Sequence, residues 1–322
     1  MRVRFRLLGP VDVRADDEPI AIARRQERCL LGILLLEAGH VVPAERLVDL
    51  LWDGAPPQHG RRSVQIHIAR LKARLPLGPD ESLESGRGGY ALHLDPECVD
   101  AHRFQSLVAA ARSCGAPEER ADLLTRSLSL WRGALMQDSA DDLLRHRIGA
   151  PLTTLRLDAS EELLAIGLAL GRAHDLLPEL TRMATEHPDR ERFVELRMEA
   201  LRRLGAEVEA LEVYQEARRY LVEMLGLDPS PRLQSLHAAI LRQEPVAGTG
   251  ERVVIRSGPA GLPAAVSGFV GRRTEGSARA RTPSDMSTYD SGATRRRWHM
   301  RPRPSRSPNR PATGWTSPGP GC

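Results

Sequence analysis

The pattern of hydrophobic and polar residues divides the chain into three regions. In the first, residues 1–96, apolar and basic residues alternate over Val3–Leu7, as in a half-buried strand. Three stretches with helical periodicity follow: residues 24–38, 43–52 and 61–75. A glycine-rich turn between Leu83 and Leu92 then predicts a hairpin. This order predicts a winged helix-turn-helix with a small β-sheet and a wing.

The second region, residues 97–245, has an almost wholly helical pattern. Its predicted breaks are Gly115–Pro117, Gly133, Pro151, His187–Pro188 and Asp228–Pro229. Within it Leu170-Gly171 recurs as Leu204-Gly205, a spacing typical of tetratricopeptide repeats, in which helix pairs stack on one another. An ordinary helical bundle is the alternative. With either arrangement of helices the fold class is mainly α. We predict an all-α, tetratricopeptide-like domain.

The third region, residues 246–322, lacks periodicity and is crowded with proline, glycine, serine and arginine. Such a composition cannot bury enough apolar surface to offset ordering, so we expect a disordered tail. The tail carries 13 basic and 4 acidic residues, whereas residues 95–245 carry 19 and 26 and residues 1–94 carry 14 and 12. A basic nucleic-acid-binding arm is therefore the alternative interpretation of the tail.

Several classes of protein are disfavoured by what the sequence lacks. No apolar stretch approaches twenty residues, so we expect no membrane span and a cytoplasmic, nucleoid-associated protein. The four cysteines have no metal-ligand spacing, so no metal or other cofactor is expected. A phosphate-binding P-loop needs a lysine in a glycine-rich loop. Lys72 is the only lysine and lies in the third predicted helix, which argues against nucleotide binding. The polar residues show no spacing typical of a catalytic nucleophile and its general base, so we expect no enzyme activity.

The third predicted helix carries the most informative pattern. Its apolar stripe, which we expect to be buried, consists of Val64, Ile68, Leu71 and Leu75. The opposite face carries Arg62, Ile66, Ala69, Arg70 and Ala73, and small residues there would let the helix sit deep in a major groove. The candidate DNA-binding residues are Arg62, Gln65, Ile66, His67, Arg70, Lys72, Arg74 and, in the hairpin turn, Arg87. A merely solvated charged face is the alternative.

Motifs spread over residues 3–245 resemble those of the Streptomyces antibiotic regulatory protein family. In the first region these are Leu7-Leu-Gly-Pro-Val11, Arg25-Gln26, Leu47-Val-Asp-x-Leu-Trp52, Pro56-Pro57, Val64–Leu71 and Gly89-Tyr90. In the second they are Val99-Asp-x-x-Arg-Phe104, Leu128-x-Leu-Trp-Arg-Gly133, His187-Pro-x-Arg-Glu191, Ala210-Leu-x-x-Tyr214 and Leu225–Pro231. The resemblance implies an OmpR-like winged helix joined to a bacterial transcriptional activator domain.

The resemblance also implies a function and partners. The protein would activate a gene cluster, usually for a secondary metabolite such as an antibiotic, by binding direct repeats in promoter DNA and contacting RNA polymerase. A homodimer through the helical domain is a further expectation. Arg70 would contact bases, with Arg62, His67 and Lys72 on phosphates. The polymerase-contact loop would carry Asp53, Gly54 and Gln58.

Two features depart from this family pattern. Family wings often place an arginine four residues before the tyrosine, where this chain has Gly86, and Arg87 comes one position later. Residues 261–272 resemble the junction to the nucleotide-binding domain of larger members, but no such domain follows. The sequence therefore resembles a truncated form of a larger regulator. A tetratricopeptide-type scaffold that lacks specific DNA binding is the alternative function.

Overall fold

The computed structural model describes residues 3–86 and 88–243. It opens with an antiparallel sheet of β1 (Val3–Arg6), β2 (Asp12–Ala15) and β3 (Glu18–Pro19), in that order. Phe5 lies opposite Val13, and both side chains are buried. The alternation seen in the sequence therefore places one face of this sheet on the core, as predicted.

Three helices follow the sheet: α1 (Arg25–Leu36), α2 (Ala44–Trp52) and α3 (Gly60–Arg74). After α1 the chain turns at Gly39, whose φ of +80° lies in the left-handed region that favours glycine. Helices α2 and α3 approach closely at Gly60, where a Cβ atom would lie 3.1 Å from Cγ1 of Val48. These helices confirm the predicted helix-turn-helix, with ends shifted by one or two residues.

A second antiparallel sheet forms the wing. Its strands β4 (Val42–Pro43), β5 (Ser82–Gly86) and β6 (Gly89–His93) lie in the order β4-β6-β5. The hairpin is the predicted one. Strand β4 was not predicted, because two residues are too short to show a periodic pattern.

Helices dominate the described part of the second region, with a non-helical segment at residues 129–141. After the short 3-10 turn Pro96–Cys98 they are α4 (Asp100–Ser113), α5 (Pro117–Leu128), α6 (Asp142–Ala169), α7 (Ala173–Glu186), α8 (Glu191–Arg203), α9 (Glu207–Tyr220) and α10 (Pro231–Leu241). A π-helical turn, Leu221–Leu225, extends α9. The expected disordered tail, residues 246–322, lies outside the described residues.

The repeated Leu-Gly motif marks equivalent helix ends. Gly171 follows α6 and Gly205 follows α8, with φ angles of +79° and +77°. The next helix of each pair, α7 or α9, then buries an equivalent residue, Leu180 or Tyr214. The tetratricopeptide-like arrangement of helix pairs is thus confirmed.

The predicted break at Pro151 is wrong, because α6 continues through this proline. A proline within a helix removes one backbone hydrogen bond and strains the preceding turn. Here packing on both sides outweighs that cost, since Gly149 and Leu152 are buried. Gly149 has no room for a Cβ beside Leu135.

The winged helix and the first helices of the second region share one hydrophobic core. The backbone amides of Leu7 and Leu8 donate to the Asp100 carboxylate, at 2.7 and 3.1 Å. In return, the carbonyls of Leu7 and Leu8 accept hydrogen bonds from the amides of Met136 and Arg132, at 2.8 and 2.6 Å. Burial raises the pKa of Asp100 to about 6, against the opposing effect of the two amide donors. Segment 7–8 therefore joins the two regions.

Among the described residues, none of the helices is both long enough and apolar enough to cross a membrane.

Candidate nucleic-acid interface

The two faces of α3 are divided as the sequence predicts. Val64, Ile68, Leu71 and Leu75 are buried against the rest of the winged helix. On the outer side, Arg62, Gln65, Ala69 and Ala73 are exposed, and Ile66 remains 43% exposed. Ile66, followed along the helix by Ala69 and Ala73, gives this face an exposed apolar strip, as a surface that contacts thymine methyl groups requires.

The expected position of His67 is wrong. The sequence predicts its ring beside the exposed apolar strip of α3, within reach of phosphates. In the structure the residue is buried, with 7% of its surface exposed. Its Nδ1 atom lies 3.6 Å from a carboxylate oxygen of Glu27 on α1. The physical reason is that His67 follows Val64 by three positions, at the edge of the buried stripe, and α1 covers that edge.

Glu27 is a component of this surface that the sequence analysis missed. It is fully buried, and besides His67 its carboxylate faces Arg70 at 3.4 Å and Arg74 at 3.5 Å. The Arg24 guanidinium, in the residue just before α1, lies 3.8 Å away. A signal was present in the sequence: Glu27 is the one acidic residue in a helix that is otherwise apolar from Cys29 to Leu36.

The basic residues of α3 have different surroundings. The side chains of Arg70 and Arg74 are 39% and 44% exposed, and both touch Glu27. Lys72 is exposed and donates to Oγ of Ser85 on β5, at 3.0 Å, so it points toward the wing. Arg62 is exposed near the N-terminus of α3. Arg87 lies outside the described residues.

The expected polymerase-contact loop is exposed at Asp53, Gly54 and Gln58. Asp53 ends α2 in the left-handed conformation, with φ +48° and ψ +50°. The Arg147 guanidinium on α6 lies 3.5 Å from the Asp53 carboxylate and also pairs with Asp49. The helical region therefore contacts the start of this loop.

Two families match the two regions of the chain. The family described as "Bacterial transcriptional activator domain" matches residues 99–241, and "Transcriptional regulatory protein, C terminal" matches residues 17–92. Transcriptional regulator RedD of Streptomyces coelicolor is 35% identical over 76% of this chain and 72% of its own length. Regulatory protein DnrI of Streptomyces peucetius is 33% identical over 82% of this chain and 98% of its own length.

The chain belongs to the Streptomyces antibiotic regulatory protein family. Members of this family are transcriptional regulators that bind promoter DNA, and they are not enzymes. Regulatory protein AfsR of Streptomyces coelicolor is 39% identical over 84% of this chain, which spans 28% of AfsR's length. The helices and sheets also match a solved structure, Mycobacterium tuberculosis EmbR in complex with a low affinity phosphopeptide. This match has a TM-score of 0.70 and a sequence identity of 28%, and it covers 77% of this chain and 67% of the EmbR chain.

Family membership changes how the polar clusters are interpreted. Over residues 3–86 and 88–243, no three His, Cys, Asp or Glu side chains are grouped so that they could hold a metal ion. The basic side chains around Glu27 compensate its buried carboxylate, and two of them, Arg70 and Arg74, remain partly exposed. The basic outer face of α3 is thus the candidate site.

Proposed function

We propose that this protein is a sequence-specific transcriptional activator of a secondary-metabolite gene cluster, acting in the cytoplasm at the nucleoid. The observation that carries the proposal is the outer face of α3, where Ile66, Ala69 and Ala73 lie exposed beside Arg70. Small side chains allow close approach to base edges, and an arginine can donate two hydrogen bonds to guanine. Residues 1–96 would form the DNA-binding domain and residues 97–245 the activator domain.

The remaining candidate residues have supporting roles in this proposal. Arg62, Lys72 and Arg74 would contact phosphates, which fixes the orientation of the helix without selecting a sequence. Gln65 lies exposed on the same helix and would contact the groove. Arg87 would extend the contact through the wing. His67 is excluded from this set by its burial.

RNA polymerase is the proposed protein partner, through the loop that carries Asp53, Gly54 and Gln58. The support is that this loop is exposed and that Arg147 on α6 pairs with its first residue. Two copies bound to direct repeats would present two such loops, and contacts between helical domains would make the pair a homodimer. No nucleotide takes part in the proposed mechanism.

The test is a titration of the full chain against two duplexes of equal length. One carries the sequence that the chain itself selects from a random library, and the other carries the same bases scrambled. Specific binding is typically about 10³-fold or more tighter than non-specific binding. We expect such a preference to persist at physiological salt. Equal affinity for the two duplexes at every salt concentration would contradict the proposed function.

Arg62→Ala is expected to weaken binding to both duplexes by a similar factor. Arg62 lies near the N-terminus of α3, where backbone amides and the helix dipole favour a phosphate. Losing one phosphate contact should make the slope of log affinity against log salt shallower by about one unit. The same titration, repeated from low to high salt, measures both effects. A changed base preference in this variant would show that Arg62 contacts bases instead.

A further inference from the structure

Glu27 places a negative charge at the base of the proposed DNA-binding face. The residue has no exposed surface, and a buried carboxylate is strongly unfavourable unless it is paired. Three of its four basic neighbours, His67, Arg70 and Arg74, come from α3. These positions are spaced by three and four residues, so they lie along one edge of the helix. One carboxylate thus organises a whole edge of α3.

The geometry leaves both arginines able to bind a second group. Their guanidinium groups lie 3.4 and 3.5 Å from the carboxylate, longer than the usual 2.7–2.9 Å of a charge-assisted hydrogen bond. A guanidinium has five N–H donors, and each of these groups directs one nitrogen, Nη1, at Glu27. Both side chains are also partly exposed, so other donors remain for a base edge or a phosphate.

We propose that Glu27 is a positioning residue for sequence recognition. By pairing with Arg70 and Arg74 before DNA arrives, it reduces the side-chain entropy that these long residues lose on binding. Its charge also opposes the phosphates, so it adds nothing to general attraction. Glu27 therefore raises the affinity for the selected sequence relative to random DNA. This inference rests on the proposed function of α3.

The test compares Glu27→Gln with Glu45→Gln. Both substitutions remove one negative charge from the helix-turn-helix, but Glu45 on α2 is exposed and pairs with Arg61, away from Arg70 and Arg74. Each full-length variant is titrated against the selected and the scrambled duplex. We expect Glu27→Gln to lower the ratio of the two affinities roughly tenfold, because Arg70, the proposed base contact, loses its anchor. Its affinity for scrambled DNA should be unchanged or higher, as in Glu45→Gln.

Other outcomes separate the two proposals. If the wild-type chain does not prefer its selected duplex, the proposed function fails. If the wild type discriminates and Glu27→Gln keeps the same ratio, only the positioning role fails. A higher affinity of Glu27→Gln for the selected duplex would instead show that Glu27 restrains the arginines, and would overturn the inference.

A variant that loses its fold would lower affinity for both duplexes, so melting temperatures are measured alongside. If Glu27→Gln does not fold, Glu27→Asp provides the test, since it keeps the charge but withdraws the carboxylate from both guanidinium groups. The ratio must then fall without a proportional loss on scrambled DNA. In an Arg70→Ala background, either substitution should change the ratio less than in the wild type, because one of the two anchored side chains is already gone. An undiminished change there would contradict the proposed role.

Discussion

Asp100→Ala is expected to lower the free energy of unfolding by about 2–6 kcal/mol, because two buried backbone amides lose their acceptor at about 1–3 kcal/mol each. The amides are those of Leu7 and Leu8, in residues with no exposed surface. The loss falls on the contact between the winged helix and the helical region. Chemical denaturation monitored by circular dichroism, at neutral pH, measures it.

The matched control is Asp142→Ala. Asp142 pairs with Arg145 on the same helix, but its carboxylate is 99% exposed. Surface ion pairs of this kind contribute about 0–1 kcal/mol. A loss for Asp100→Ala no larger than that of the control would show that the two regions do not depend on this contact.

The sequence predicted those elements that pack one face against a single core, because such packing produces a regular pattern of hydrophobic residues. The stripe Val64, Ile68, Leu71 and Leu75 is such a case, since one face of α3 meets one core. The 34-residue spacing of Gly171 and Gly205 is another, because each glycine ends a helix in the left-handed conformation. In both cases the residue types that favour the local structure are also those that the tertiary packing requires.

Residues at contacts between distant segments could not be placed from the sequence. Leu7 and Leu8 look like the end of a strand, yet they are held by Asp100, more than ninety positions away. His67 looks like a surface residue until Glu27 on α1 is known to face it. Pro151 looks like a helix break, and only the packing of its neighbours keeps α6 continuous. Each of these positions depends on a partner that no local pattern reveals.

Arg70→Ala is expected to lower the affinity for the selected duplex by about 1–3 kcal/mol, which is the contribution of one bidentate contact between an arginine and a base. Arg70 is partly exposed beside Ala69 and Ala73, so its guanidinium can reach a base edge. Removing it also leaves Glu27 with one arginine fewer. Preference should relax at one base position, whereas Arg62→Ala should leave every preference intact.

A control distinguishes loss of sequence recognition from loss of fold. Arg70→Ala removes one partner of the buried Glu27 carboxylate, so its melting temperature is expected to fall, and binding is compared at a temperature where wild type and variant are both fully folded. The Lys72→Ala variant removes a positive charge from the same helix that points toward Ser85 and the wing. It should weaken binding to selected and scrambled duplexes alike.

The central claim is that α3 selects the DNA sequence, and the most direct measurement is a binding selection from a random duplex library. Full-length wild type and Arg70→Ala are carried through the same rounds at the same salt concentration. We predict that the wild type enriches a repeated motif, and that Arg70→Ala enriches a motif that has lost its preference at one position of each repeat. Enrichment of the same motif, with equal preference at every position, would contradict the account.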